Sequence, residues 1–264
     1  MLQRLAGQAT IVTGAGRGFG RAIATALATE GAAVTLVSRS QGQLDAVAEA
    51  IRGAGGKALA VSGDVTNRAD VTRAVAAAEE AFGPITLLVN NAGTDGPFGP
   101  IGVADPDAWW HAQAVHLRGP LLFMSAVLPG MRERRAGRII NIASRGGKEV
   151  SAYLSAYGVG KNSQIRLTEH VALENKDHGI AAFAIEPGTT ITEMAQHTID
   201  SPEAQRWVPG MIEILKQIGH ENPDSAPVFA RCAEMCIELA SGKYDALSGR
   251  YLEPTDDFAA LLKG

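Results

Sequence analysis

The sequence predicts an α/β fold, a single-domain Rossmann-type doubly wound parallel sheet flanked by helices. Short β-branched or aliphatic runs alternate with longer alanine-rich stretches of helical period, and the short runs are apolar on both faces, as strands covered by helices on both sides must be. No Pro/Ser-rich linker, low-complexity tract or repeat interrupts the alternation, so residues 1–264 read as one domain.

The elements follow in order. ATIVT at 9–13 is the first strand and leads into a helix over 18–30. AVTLVS (33–38) precedes a helix at 41–54, and KALAVS (57–62) one at 67–82. ITLLVN (85–90) is the fourth strand, before a long helical region from 106 to 134. RIINIAS (138–144) and IAAFAIE (180–186) are two more strands, with a helix over 151–176 between them and further helix candidates up to 241. The irregular segment 187–225 is too long for a simple connection. It is either a lid over a binding site, with Met194, Trp207, Val208, Met211 and Ile212 as its apolar face, or a set of helices packed on the core.

Composition excludes several functions. The formal net charge is −4 with acids and bases interleaved, so no footprint for nucleic acid or an acidic membrane exists. The nearest basic cluster, MRERRAGR at 131–138, is broken by Glu133 and reads as a charged helix end. No apolar stretch reaches the roughly 20 residues of a membrane span, and MLQRLAGQAT lacks the apolar region of a signal peptide, so a cytoplasmic location is expected. Cys232 and Cys236, at i, i+4 among apolar neighbours, read as helix packing. The histidines are scattered, and no metal is expected.

The first strand runs into TGAGRGFG, where glycines let backbone amides and a helix N-terminus approach a pyrophosphate. The G-x-G-x-x-G fingerprint fails at Phe19, but T-G-x-x-x-G-x-G is met by Thr13, Gly14, Gly18 and Gly20. Asp64-Val65 follows the third strand, NNAG at 90–93 closes the fourth, Ser144 follows RIINIA, Tyr157-x-x-x-Lys161 comes next, and PGTTIT occupies 187–192.

In this series the chain resembles the classical short-chain dehydrogenase/reductase family over roughly 8–195. The resemblance implies a cofactor cleft formed by Gly14, Arg17, Gly18, Phe19 and Gly20 and by Asp64 and Val65 near the adenine. It adds Asn90, Asn91, Ala92 and Gly93 along the cofactor, and Pro187, Gly188, Thr190, Ile191 and Thr192 near the nicotinamide, with Tyr157 and Lys161 also touching it. It further implies a homotetramer or homodimer, and a final strand at Ser248-Gly249-Arg250, followed here by an acidic stretch and a short helical tail.

Cofactor choice is argued from charge. An acidic residue after the second strand would bind a ribose 2′-hydroxyl and repel a 2′-phosphate. Ser38 and Arg39 stand there instead, with Arg17 in the glycine loop, so NADP(H) is favoured over NAD(H); otherwise both arginines are surface residues.

Carbonyl reduction needs a proton donor for the nascent alkoxide. Tyr157 fits, with Lys161 one turn on to lower its pKa from about 10, and Ser144, by resemblance, bonds the substrate oxygen. Tyr153 has no lysine four residues on and is a pocket wall or the helix start. His116, in VHLRGP, departs from the resemblance, which has an asparagine there that holds a water linked to the lysine. Either histidine replaces it, or the proton relay is impaired or titrates near neutral pH. Arg145, Lys148 and Glu149 border the substrate mouth or form a charged surface loop; of Trp109 and Trp110, one is core or a subunit contact. The expected function is NADP(H)-dependent interconversion of a carbonyl compound, a ketone or aldehyde, and an alcohol; the alternative is a nucleotide-binding scaffold without turnover.

Overall fold

A computed structural model describes residues 3–263. The chain runs β1 (Ala9–Thr13), α1 (Gly18–Thr29), β2 (Ala33–Ser38), α2 (Gln41–Gly53), β3 (Lys57–Ser62), α3 (Arg68–Phe82) and β4 (Leu87–Asn90). It continues through α4 (Pro106–Gln113), a π-helical segment (Ala114–Arg118), α5 (Gly119–Arg134), β5 (Gly137–Ile142), a 3₁₀ turn (Arg145–Gly147), α6 (Ser155–Glu174) and β6 (Ile180–Ile185). Then come α7 (Glu193–Asp200), α8 (Pro202–Trp207), α9 (Pro209–Glu221), α10 (Ala226–Ala240), β7 (Tyr251–Leu252) and α11 (Phe258–Leu261).

The strands form one seven-stranded parallel sheet in the order β3-β2-β1-β4-β5-β6-β7. On one face lie Ile23 and Leu27 of α1, Leu44 of α2 and Met235 and Leu239 of α10. On the other lie Val71 of α3, Phe123, Val127 and Met131 of α5 and Val171 of α6. β1, β4 and β6 are buried along their whole length, which is why they carry no polar alternation. The strand order reverses between β1 and β4, so the connections leaving them go to opposite sides and a crevice opens at their carboxyl ends.

Three expectations need correction. The sixth helix begins at Ser155, because Tyr153 adopts a left-handed φ of 66° in a turn whose carbonyl accepts from Gly99 N–H. The segment 187–225 is mostly regular, with helices α7, α8 and α9. Ala204, Val208 and Ile212 there bury themselves against Phe98 in a small separate cluster, so the segment packs partly on itself. The final strand is Tyr251–Leu252, pairing with Ala184 and Ile185; Gly249 and Arg250 lead into it. The cluster at 131–138 is the charged end of α5, as expected, and Arg132, Arg134 and Arg135 bond Asn175, the Ile85 carbonyl and the Asp177 carbonyl.

No helix among the described residues is long and apolar enough to cross a membrane. Cys232 and Cys236 are buried against the sheet. Phe183, at the centre of β6, is fully buried. Phe183→Ala should lower unfolding free energy by about 3–5 kcal/mol in urea titrations, whereas Val150→Thr, at a fully exposed position, should stay within about 0.5 kcal/mol of wild type.

Candidate active site

The crevice is a cleft of about 1300 Å³ running from the glycine loop to Tyr157. At one end β1 stops at Thr13, whose Oγ1 accepts the backbone N–H groups of Asn91 (3.0 Å) and Ala92 (3.1 Å) and so ties the loops after β1 and β4 together. Gly20, the first-turn residue of α1, passes so close to this junction that a Cβ would lie 2.2 Å from Gly14 O. Phe19 lies beside the cleft and packs edge-on against Phe229 at 4.9 Å. Gly14, Arg17, Gly18, Ser38, Arg39, Asp64 and Val65 complete this end.

Two features here suit a phosphorylated ribose. Ser38 Oγ is buried with no hydrogen-bond partner. Arg39 is exposed at the rim, with no ion-pair partner among the described residues and no carboxylate in its place at the strand end. Arg17 behaves differently: its guanidinium reaches across the cleft and pairs with Glu193, at the start of α7. The two arginines are therefore not a ready-made pair on one phosphate. Asp64 folds back to accept from the N–H and hydroxyl of Thr66, both at 2.8 Å.

At the other end Ser144 follows β5, and Tyr157 and Lys161 lie one turn apart on α6. Lys161 is nearly buried, and its Nζ donates to Ile142 O at 2.6 Å and to Gln164 Oε1 at 3.4 Å. Behind it Asn90 donates to Asn141, Asn141 to Thr168 Oγ1 and Thr168 to Gln164 O, each at 2.8 Å. Asn90 is thus a core residue of this network and does not line the cleft, whereas Asn91, Ala92 and Gly93 do. Pro187, Gly188, Thr190 and Thr192 line it too, but the Ile191 side chain turns away, toward Gly219 of α9. Thr192 Oγ1 caps α7 by accepting Ala195 N–H, and Thr190 Oγ1 donates to Ser225.

The electrostatics depart from the simplest tyrosine–lysine picture. Burial pulls Lys161 down to about 8, against the opposing charge of Glu186. Tyr157 is raised, chiefly by burial; the Ser144 hydroxyl opposes this, and the Glu186 and Asp95 charges add to it. The expected lowering of the phenol by Lys161 is not realised, since the ammonium is spent on Ile142 and Gln164 and lies 5.9 Å from the ring centroid. A phenol that keeps its proton is suited to donating it.

His116 is fully buried in the π-helical segment, edge-on to the Tyr157 ring at 5.7 Å. Its Nε2 bonds Thr94 O at 2.6 Å, leaving Nδ1 without a partner on the side of Gly93, which Lys161 Nζ also flanks. The ring fits because Gly160 faces it, where a Cβ would come within 2.8 Å of His116 Cβ. Burial, then the Lys161 charge, lower the imidazole to about 3, against the bond to Thr94. Titration near neutral pH is therefore corrected: the ring stays neutral, with a free acceptor beside the lysine.

Tyr153 lines the cleft, tilted on Trp207 at 5.3 Å between ring centroids. Arg145, Lys148 and Glu149 border the mouth. Trp109 Nε1 donates to Ser155 Oγ at the start of α6, and Trp110 is exposed. Sequence reasoning missed Asp95 and Glu186. Asp95 accepts from Thr198 and pairs with His197, tying the loop after β4 to α7. Glu186, buried, accepts from Arg145 N–H and from the Tyr251 hydroxyl. A lone acid ending the apolar run IAAFAIE was the available signal.

The pH dependence of stability tests the histidine. Between 6.5 and about 3 the unfolded chain takes up a proton at His116 and the folded chain does not, so this residue removes stability as pH falls through that window. In urea unfolding from pH 7 to 4, His116→Asn should lose less stability than wild type, by up to about 1.4 kcal/mol per pH unit.

Comparison with known proteins agrees with this architecture. Residues 8–203 match the family described as short chain dehydrogenase. A short chain dehydrogenase of Pseudocercospora fijiensis is 30% identical over 98% of this chain and 84% of its own. The 2-(S)-hydroxypropyl-CoM dehydrogenase 3 of Xanthobacter autotrophicus is 38% identical over 78% of this chain and 82% of its own. Among solved structures, an actinorhodin polyketide ketoreductase variant with NADPH superposes with a TM-score of 0.83 at 29% identity, over 96% of this chain and 97% of that one. With the family model matched over 8–203 and a relative 30% identical over nearly the whole chain, the chain belongs to the short chain dehydrogenase family.

Proposed function

We propose that this protein is an NADP(H)-dependent oxidoreductase that interconverts a ketone or aldehyde with its alcohol. The observation that carries the proposal is one continuous cleft with Ser144, Tyr157 and Lys161 at one end and, at the other, Arg39 beside the Ser38 hydroxyl, neither of which has a side-chain partner among the described residues. A 2′-phosphate would satisfy both groups, through a charge-assisted contact to Arg39 and a bond from Ser38. The polyketide ketoreductase with NADPH supports the same cofactor.

When bound, the dinucleotide would supply or accept the hydride. Gly14, Gly18 and Gly20, Asn91, Ala92 and Gly93, and Pro187, Gly188, Thr190 and Thr192, which line the cleft, would hold it. Ser144 donates a hydrogen bond to the carbonyl oxygen, and Tyr157, held protonated by its burial, delivers the proton as charge develops there. Lys161 places an ammonium under this end of the site, and His116 offers Nδ1 as an acceptor where the family resemblance has asparagine. Helices α7 and α9 contribute Met194, Thr198 and Met211 to the wall, as a substrate cover would. A cytoplasmic homotetramer or homodimer is the setting we assign, with Ile101, Val103 and Trp110 as exposed apolar candidates for its contacts.

Initial rates of NADPH and NADH oxidation over a panel of carbonyl compounds test the proposal. NADPH should be preferred, and Tyr157→Phe should reduce kcat on the order of 10²–10⁴-fold without preventing cofactor binding. Arg39→Ala should raise the KM for NADPH roughly tenfold and leave that for NADH unchanged. Binding of NADPH with no carbonyl turned over, and no alcohol oxidised in reverse, would favour the scaffold alternative; equal use of NADH would overturn the cofactor assignment.

A further inference from the structure

Glu186 is a buried carboxylate that the proton-transfer scheme above leaves without a role. It follows β6 directly, and the register explains where it sits. Ile142 pairs with Ile185, and Ala143 N–H donates to Ile185 O at 2.9 Å, so Glu186 runs alongside the backbone between Ile142 and Ser144. That backbone holds both ends of the chemistry, since Ile142 O accepts from Lys161 Nζ and Ser144 follows two residues later. The same carboxylate oxygen of Glu186 accepts the Arg145 N–H, in the turn carrying Ser144, and the Tyr251 hydroxyl at 3.0 Å. Burial and the Glu186 charge raise the Tyr251 phenol, so it remains a donor.

From this juxtaposition we infer that Glu186, held by Tyr251, is a positioning residue: it anchors the Ser144 turn through Arg145 N–H and places its negative charge beside the strand end that holds the buried Lys161 ammonium. The inference rests on the oxidoreductase reading for its catalytic meaning, and its charge component can be tested without turnover.

The charges around the pair are few. Charge interactions couple Glu186 to Lys161 and Tyr157 of α6, and hydrogen bonds join it to Arg145 N–H of the 3₁₀ turn and Tyr251 of β7; the Asp95 charge also acts on Tyr157, Lys148 lies over the Tyr251 ring at 4.9 Å and Glu253 is 3.9 Å from Arg145. Facing Lys161 from the π-helical segment is His116, which stays neutral. Glu186 is therefore the acid that opposes the cost of burying Lys161, and its pull on that lysine is upward.

The test separates charge from shape. In ¹³C-lysine-labelled protein, the Lys161 ε-carbon titration should move down by about half a pH unit or more in Glu186→Gln. That variant keeps an acceptor for Arg145 N–H but loses the charge. Glu186→Asp keeps the charge and shortens the reach, so the Lys161 midpoint should stay near that of wild type while kcat falls several-fold with KM little changed. The alkaline limb of kcat/KM should shift downward in Glu186→Gln only. An unmoved Lys161 titration in folded Glu186→Gln overturns the charge role, and wild-type kcat in Glu186→Asp overturns the anchoring role. Should Glu186→Gln not fold, Glu186→Asp decides alone: lowered kcat with an unmoved alkaline limb supports the inference, and any other result overturns it. Absence of carbonyl turnover in the wild type would be a failure of the oxidoreductase reading and would leave the lysine titration to decide the charge role.

Discussion

A buried ammonium ion organises this molecule's functional end. Lys161 is 5% exposed, and an ion so placed is tolerable only where protein groups replace the water it has lost. Ile142 O and Gln164 Oε1 do so directly. Thr168 bonds the Gln164 carbonyl and is itself bonded by Asn141, which Asn90 bonds in turn, so the polar chain extends from α6 through β5 to β4. Because each donor must meet its acceptor, the network fixes the register of α6 against the sheet and with it the position of Tyr157.

The same ion explains its neighbours' states. It helps hold His116 neutral, and this, with Gly160 opposite, lets an imidazole occupy the π-helical segment without placing a second cation beside the first. A π-helical turn inside an otherwise α-helical stretch is a frequent mark of a functional site. Here it is the point at which a long helix turns one side chain toward the lysine. Glu186, directly after β6, acts against the desolvation of Lys161, and burial leaves Tyr157 protonated.

The cleft is also clasped from above. Arg17–Glu193 and Asp95–His197 tie α7 to the loops after β1 and β4. Both pairs have an exposed partner, so each contributes little to stability; their effect is to set where α7 lies over the cleft. Arg17 is thereby drawn toward α7, and Arg39 is left at the glycine-loop end of the cleft with no ion-pair partner among the described residues.

Sequence alone determined the doubly wound sheet, because strands buried on both faces must be apolar throughout and the helices between them must repeat with a different period. It also determined the chemical types at the site, since TGAGRGFG, NNAG, Ser144 and Tyr157-x-x-x-Lys161 are local patterns whose spacing is visible along the chain. Tertiary structure decided the rest. Asn90 and Asn91 are adjacent, yet one is buried in the core and the other faces the cleft, a difference set by which way each side chain points at the end of β4. The partnering of Arg17 with Glu193, of Asp95 with His197 and of Glu186 with Tyr251 joins residues 65 or more positions apart, and no local pattern encodes such meetings. The protonation states followed only from burial: the spacing of Tyr157 and Lys161 suggested a lowered phenol, but desolvation in the folded protein outweighs an ammonium whose hydrogen bonds are directed elsewhere.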